Sequence, residues 1–170
     1  MNKNIHHVLI ALLLIISCST LPPVLAGQHI ESSVPEEIKG TELFYIREIN
    51  YLHDNPLDIF NRDLGWFVDT ELPSMLEVIG SKYDLSVTRK EKPSFLMEEN
   101  ALGLNLWIHE MKKPNSVQKT NAVSVILTLT NDKDESVGKI MFIDQTGNSI
   151  INIDYTYAVL DRMIKILANG

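Results

Sequence analysis

The apolar positions of this chain change period several times, and each change marks an element. Val8 to Ile16 form an unbroken apolar run of nine, about half the ~20 residues that a membrane-crossing helix needs. Between residues 19 and 40 no period is sustained. "STLPPVLAGQ" and "ESSVPEEIKG" mix Pro, Gly, Ser and acidic residues, which reads as a tether reaching about 75 Å at full extension. Alternation begins near Glu42. In "ELFYIREINYL" Leu43, Tyr45, Ile49 and Tyr51 fall on one face, predicting a first strand. "HDNPLD" then turns at Asn55-Pro56.

The period lengthens to three and four through Leu64, Phe67, Val68, Leu72, Met75, Leu76 and Ile79, the spacing of a helix with one apolar face. Pro73 lies inside this stretch. Either the helix kinks there, or a second helix begins with Thr70 as N-cap and Pro73 in its tolerant first turn. Gly80 reads as the stop. Alternation returns in "YDLSVTR" (Tyr83, Leu85, Val87), and residues 89 to 101, charged and carrying Pro93, read as a loop. In "LGLNLWIHEM" Leu104, Leu106 and Ile108 face one way, and Asn105, Trp107 and His109 the other. "KKPNSVQKTN" is a polar loop.

"AVSVILTLT" carries the strongest strand pattern, with Val123, Val125, Leu127 and Leu129 toward a core. "NDKDES" turns the chain and "VGKIMFID" returns, predicting a β-hairpin. A final helix starts near Asn152. Its stripe is Ile153, Tyr157, Leu160, Ile164 and Leu167, with Val159, Met163 and Ile166 beside it. Asn152 can cap it, and Asp154 suits the positive end of its dipole. The order is β-α-β-β-β-β-α. Two helices with broad apolar stripes need a sheet face to cover, so the expectation is an α+β two-layer sandwich. Its sheet would be mostly antiparallel, with four to five strands. One domain would span residues 41–170, after a signal segment at 1–17 and a tether at 18–40.

Composition narrows the function classes. Hydrophobic residues make up 45% of the 170-residue chain, as in globular domains. The formal net charge is −7, and loss of Lys3 with the leading segment would make it −8. Such a surface repels phosphate backbones, which argues against nucleic-acid binding. "RKEK", residues 89 to 92, is interrupted by Glu91 and reads as a solvated loop.

The polar start with Lys3, followed by the short apolar run, has the form of a secretory signal. Two cleavage sites compete. "IISC", residues 15 to 18, resembles a bacterial lipobox: two aliphatic residues, a small one, then Cys18. That resemblance implies a diacylglycerol on the Cys18 thiol, which becomes the first mature residue. Each buried acyl CH₂ then adds about 0.8 kcal/mol of anchoring. In that family Ser19 after the cysteine favours the outer membrane. The second site follows Ala26 in "VLA", with Val24 and Ala26 at the −3 and −1 positions; cleavage there would release a soluble, cysteine-free domain. Cys18 is the single cysteine, so the domain has no disulfide of its own.

Catalytic groupings do not emerge from the spacing. His53-Asp54 and His109-Glu110 are adjacent pairs, and neighbours on a strand point to opposite faces. The chain lacks the His and Glu spacings of zinc sites. "DKDESVG", residues 132 to 138, begins like a calcium loop, but Val137 replaces the needed Gly and Ile143 the bidentate Glu; a hairpin turn explains it better. No metal and no cofactor are expected. The aromatics carry more. An outward Trp107 on a sheet with one covered face, and Trp66 at the start of the first helix, are candidate interaction residues.

With Cys18, the tether and this order of elements, the chain resembles small lipoproteins of the Gram-negative envelope, in layout the auxiliary lipoproteins of ABC-type transport systems. The resemblance rests on Trp66, Leu72 and Leu76 in the first helix, the strand "LNLWIHEM", the hairpin "AVSVILTLTNDKDESVGKIMF" and the C-terminal helix. The long spacer between first strand and helix in those proteins is missing here. It implies a non-enzymatic accessory role on the periplasmic side of a bacterial membrane. The partners would be the membrane, through acylated Cys18, and an envelope protein. Two rival expectations stand beside it: a carrier of a small apolar ligand or lipid, with a cavity of several hundred Å³, and a small hydrolase with a strongly perturbed carboxylate or histidine in a cleft.

Overall fold

The structure is a computed structural model that describes residues 27–38, 40–53, 62–89, 100–112 and 121–169. The signal segment, Cys18 and the Ala26 cleavage site lie outside the described residues, as do Asn55-Pro56 and most of the loops expected at 89–101 and 112–121.

Six strands form one sheet: β1 (Gln28–Ser33), β2 (Leu43–His53), β3 (Ser86–Arg89), β4 (Leu102–Lys112), β5 (Asn121–Thr130) and β6 (Ser136–Asp144). Their spatial order is β1-β6-β5-β4-β2-β3. Besides a short 3-10 turn at Glu36–Ile38, the helical stretches are α1 (Arg62–Trp66), which runs through a π-turn at Phe67–Glu71 into α2 (Leu72–Lys82), and the C-terminal α3 (Ile153–Ala168). The α+β class holds, but the sheet is larger and more mixed than expected. The added strand is β1. It comes from residues read as tether and pairs antiparallel with β6 over its whole length. Its sequence, QHIESS, has one apolar residue, so backbone pairing to a sheet edge forms it and hydrophobic alternation gives no sign of it.

Parallel pairing is the second departure. β4, β5 and β6 form an antiparallel meander, whereas β2 runs parallel to both β3 and β4. The helical stretch between β2 and β3 is the crossover that parallel neighbours require.

Strand β2 also differs in phase. Its register slips between Ile46 and Glu48, leaving Arg47 as a bulge. Before the bulge Phe44 and Ile46 enter the core; after it Ile49 and Tyr51 do. An extra residue flips every later side chain, so the expected single face of Leu43, Tyr45, Ile49 and Tyr51 is split. The bulged Arg47 forms an ion pair with Asp134 and donates to the Asn131 carbonyl at 3.3 Å. It passes over Gly103, where an added Cβ would collide with Arg47 and Thr130 side chains; a glycine is needed for that close approach.

The helices obey their apolar periods with local corrections. Pro73 sits at the start of α2, directly after the π-turn, and Thr70 caps nothing; the wider turn absorbs the missing proline N–H. Gly80 does not stop the helix. It lies against β3, where a Cβ would stand 2.5 Å from Val87 Cγ2. The chain leaves α2 through Asp84 at φ 59°, with the Leu85 N–H donating to the Gly80 carbonyl at 3.0 Å. In α3 Asn152 caps as expected, its side chain accepting from the Tyr155 N–H at 3.1 Å. The buried stripe is rotated to Thr156, Val159, Leu160, Met163, Ile164 and Leu167, and Ile153 is exposed.

α2 and α3 cover one face of the sheet. There Leu104, Leu106 and Ile108 of β4 meet Val123, Val125, Leu127 and Leu129 of β5, and Ile140 and Phe142 of β6. No described helix is long and apolar enough to cross a membrane.

Candidate interaction surface

Each strand that buries its even or odd positions under the helices presents the alternate ones to the other face. Cross-strand register gathers those into rows. One row runs Asn50, Trp107, Ile126, Met141, Glu31, and the next Leu52, His109, Ser124, Ile143, His29. Trp107 is 51% exposed and Leu52 56%. Ile126 of β5 and Met141 and Ile143 of β6 continue from Trp107 toward β1 and are half-buried. No described helix covers this face. An apolar band that carries a large aromatic, with polar residues at its rim, has the composition of a protein-binding surface. The buried side-chain nitrogen of Asn50, in the same row as Trp107, has no hydrogen-bond partner among the described residues.

Trp107 thus stands on the face opposite Leu106, as its alternation implies. Trp66 is 54% exposed, but its neighbour Phe67 is buried in the core under the helices. The two tryptophans belong to opposite layers and do not form one patch. His109 and Glu110 are likewise split between faces, so they make no dyad. The stretch from Asn131 to Glu135 is a hairpin turn: the Asn131 side-chain oxygen accepts from the Lys133 and Glu135 N–H groups, each at 2.9 Å. Among the described residues no three His, Cys, Asp or Glu converge as a metal site.

A polar cluster at one margin of the helix-covered face was not foreseen from the sequence. Glu110 and Asp144, each 1% exposed, flank Val123 in one cross-strand row. The Tyr51 hydroxyl donates to Glu110 at 3.0 Å. Asp144 accepts from the Thr146 hydroxyl at 2.6 Å, the Thr146 N–H at 2.7 Å, Gln28 at 3.0 Å, Asn148 at 3.3 Å and the Tyr155 hydroxyl at 2.5 Å. Burial alone would raise the Asp144 carboxyl, but the bonds from Thr146, Tyr155 and Gln28 outweigh it and hold the group at about 2. Burial, then the adjacent Asp144 charge, pushes the Tyr155 hydroxyl well above the ordinary tyrosine range. Asp144 therefore stays ionised and fully engaged, and Tyr155 stays a donor. This is the chemistry of a clamp that joins β1, β6 and the start of α3.

A groove of about 560 Å³ opens between β1 and α3, lined in part by Ile30, Val34, Arg162, Lys165 and Ile166. A second, of about 430 Å³, surrounds the Arg47 bulge with Val68, Asp69 and Arg89.

No protein-family model matches the chain, and no curated protein does. Among solved structures it is similar to the PelC dodecamer from Paraburkholderia phytofirmans, at 9% identity and TM-score 0.52, over 83% of this chain and 97% of that one. A second structure, of a PelC variant from that species, gives 12% identity and TM-score 0.49 over the same shares. A Helicobacter pylori protein described as a neuraminyllactose-binding hemagglutinin homolog gives 14% and 0.32 over 76% and 82%. The first likeness shows a shared fold.

Proposed function

We propose that this chain is a lipid-anchored, non-enzymatic accessory module on the periplasmic side of a bacterial membrane, with the outer membrane favoured, that docks an envelope protein on its open sheet face. The observation that carries the docking is Trp107 beside Leu52 on the face that no described helix covers. A half-exposed tryptophan beside apolar neighbours is the residue type that dominates binding energy in protein interfaces. The anchoring rests on the lipobox-like "IISC" and on Cys18 as the single cysteine. PelC forms a dodecamer, so a second copy of this chain is the first partner to test. The transport-system setting implied by the sequence resemblance belongs to the same proposal.

Fractionation of cells carrying the wild type and Cys18→Ser tests the anchor. The expected result is acylated wild type in the membrane fraction and an unprocessed or released Cys18→Ser chain. Unchanged processing and membrane association would remove the anchor from the account. A wild-type mature chain beginning at Gly27 would instead establish cleavage after Ala26 and a soluble domain. The carrier reading draws on the groove beside β1, but that space is open at the sheet edge. The layer between helices and sheet is filled by fully buried Leu76, Leu106, Leu127 and Phe142.

A further inference from the structure

The groove beside β1 follows from a mismatch of widths. Six strands at about 4.8 Å spacing make a sheet wider than two helices of about 10 Å can cover. The uncovered strip lies between β1 and the C-terminal half of α3. Ile30, Val34 and Ile166 give it an apolar floor and wall, and Arg162 and Lys165 stand along it. None of its lining residues is acidic, in a chain of net charge −7. Arg162 is fixed by a 2.8 Å bond to Gln28 and by its position 5.4 Å from the Phe142 ring centre. The Lys165 ammonium has no anionic partner among the described residues. The nearby acids are already engaged: Asp161 accepts from Lys82 and Tyr83, and Glu31 pairs with His29 on the other face.

The position of the anchor selects the occupant. Strand β1 begins ten residues after Cys18, a reach of at most about 35 Å. An acyl group on Cys18 would therefore hold this edge of the sheet close to the bilayer. We propose that the groove seats anionic phospholipid head groups, so that the domain rests on the bilayer through Arg162 and Lys165, with Ile30, Val34 and Ile166 against the acyl boundary. Apolar residues flanked by cations are how peripheral segments bind anionic bilayers. This inference rests on the acylation of Cys18.

The test uses the full acylated chain in vesicles of phosphatidylcholine alone or with phosphatidylglycerol. Cys18 is consumed by acylation, so Ser32→Cys gives one thiol at the groove for a fluorophore, quenched by spin-labelled lipid. Glu48→Cys, on the far side of the sheet, is the control, and mass spectrometry establishes acylation. Quenching at position 32 should be strong with phosphatidylglycerol, weak without it and weak at position 48. Each cation near the surface is worth roughly a fivefold change in the docked population. Lys165→Gln, an exposed change with no bond to lose, should reduce quenching accordingly, as should 0.5 M salt (a Debye length of about 4 Å). Equal quenching in both vesicles, or none of the loss with Lys165→Gln and salt, would overturn the inference and leave the anchor standing. A wild-type chain that mass spectrometry finds unacylated at Cys18 would overturn both.

Discussion

The two faces of the sheet are built from the same strands and differ in almost everything else. On β4, Leu104, Leu106 and Ile108 are essentially inaccessible, whereas Trp107, one residue from two of them, is half exposed. On the covered face each apolar side chain is matched by others under two helices. On the open face the apolar residues form a narrower band among Asn, Ser, Thr, His, Lys and Glu. The covered face supplies stability. Trp107 of the open face is left half exposed, and docking is the role proposed for it.

Substitutions on the two faces should therefore separate. Leu106→Ala leaves a cavity at the centre of the covered face and should lower unfolding free energy by about 2–5 kcal/mol in urea. Asp144→Asn weakens the clamp at the margin of that face, with an expected loss of roughly 2 kcal/mol near neutral pH. It carries a pH signature as well. The folded carboxyl lies at about 2, below its ordinary 3.8. Its contribution is thus fully present above pH 3.8 and lost as pH falls toward 2. Denaturation across that window should show a steeper acid loss in the wild type than in Asp144→Asn; matching slopes would refute the clamp. Asn152→Ala removes the cap of a covering helix and should cost about 1 kcal/mol, read as a lower melting temperature. Trp107→Ala, on the open face, should change stability by only about 0.5 kcal/mol. A loss comparable to that of Leu106→Ala would abolish the contrast between the faces.

The parts of the fold that follow a strong hydrophobic period were legible in the sequence. Strands β4, β5 and β6 and the Asn152 cap follow from alternation and capping chemistry, and so does the outward direction of Trp107. What stayed hidden is what periodicity does not encode. Strand β1 is held by backbone pairing, with Ile30 as its one apolar residue. The Arg47 bulge packs over Gly103 of the adjacent strand, close in space but distant in sequence. The parallel pairing of β2 with β3 and β4 had a signal, the strand-helix-strand order, that the antiparallel expectation passed over. The Asp144 clamp gathers Gln28, Thr146, Asn148 and Tyr155 from three elements. Only the short "DQTGN" stretch hinted at it, because an Asp followed by Thr, Gly and Asn favours a side-chain-bonded turn.

The most direct test of the docking face is site-specific photo-crosslinking in cells. A photoreactive amino acid replaces Trp107 on the open face or Val78, 60% exposed on the helix layer. Position 107 should give a discrete crosslinked species, at the mass of a dimer if a second copy is the partner, and position 78 none. Crosslinks from position 78 with none from 107 would contradict it.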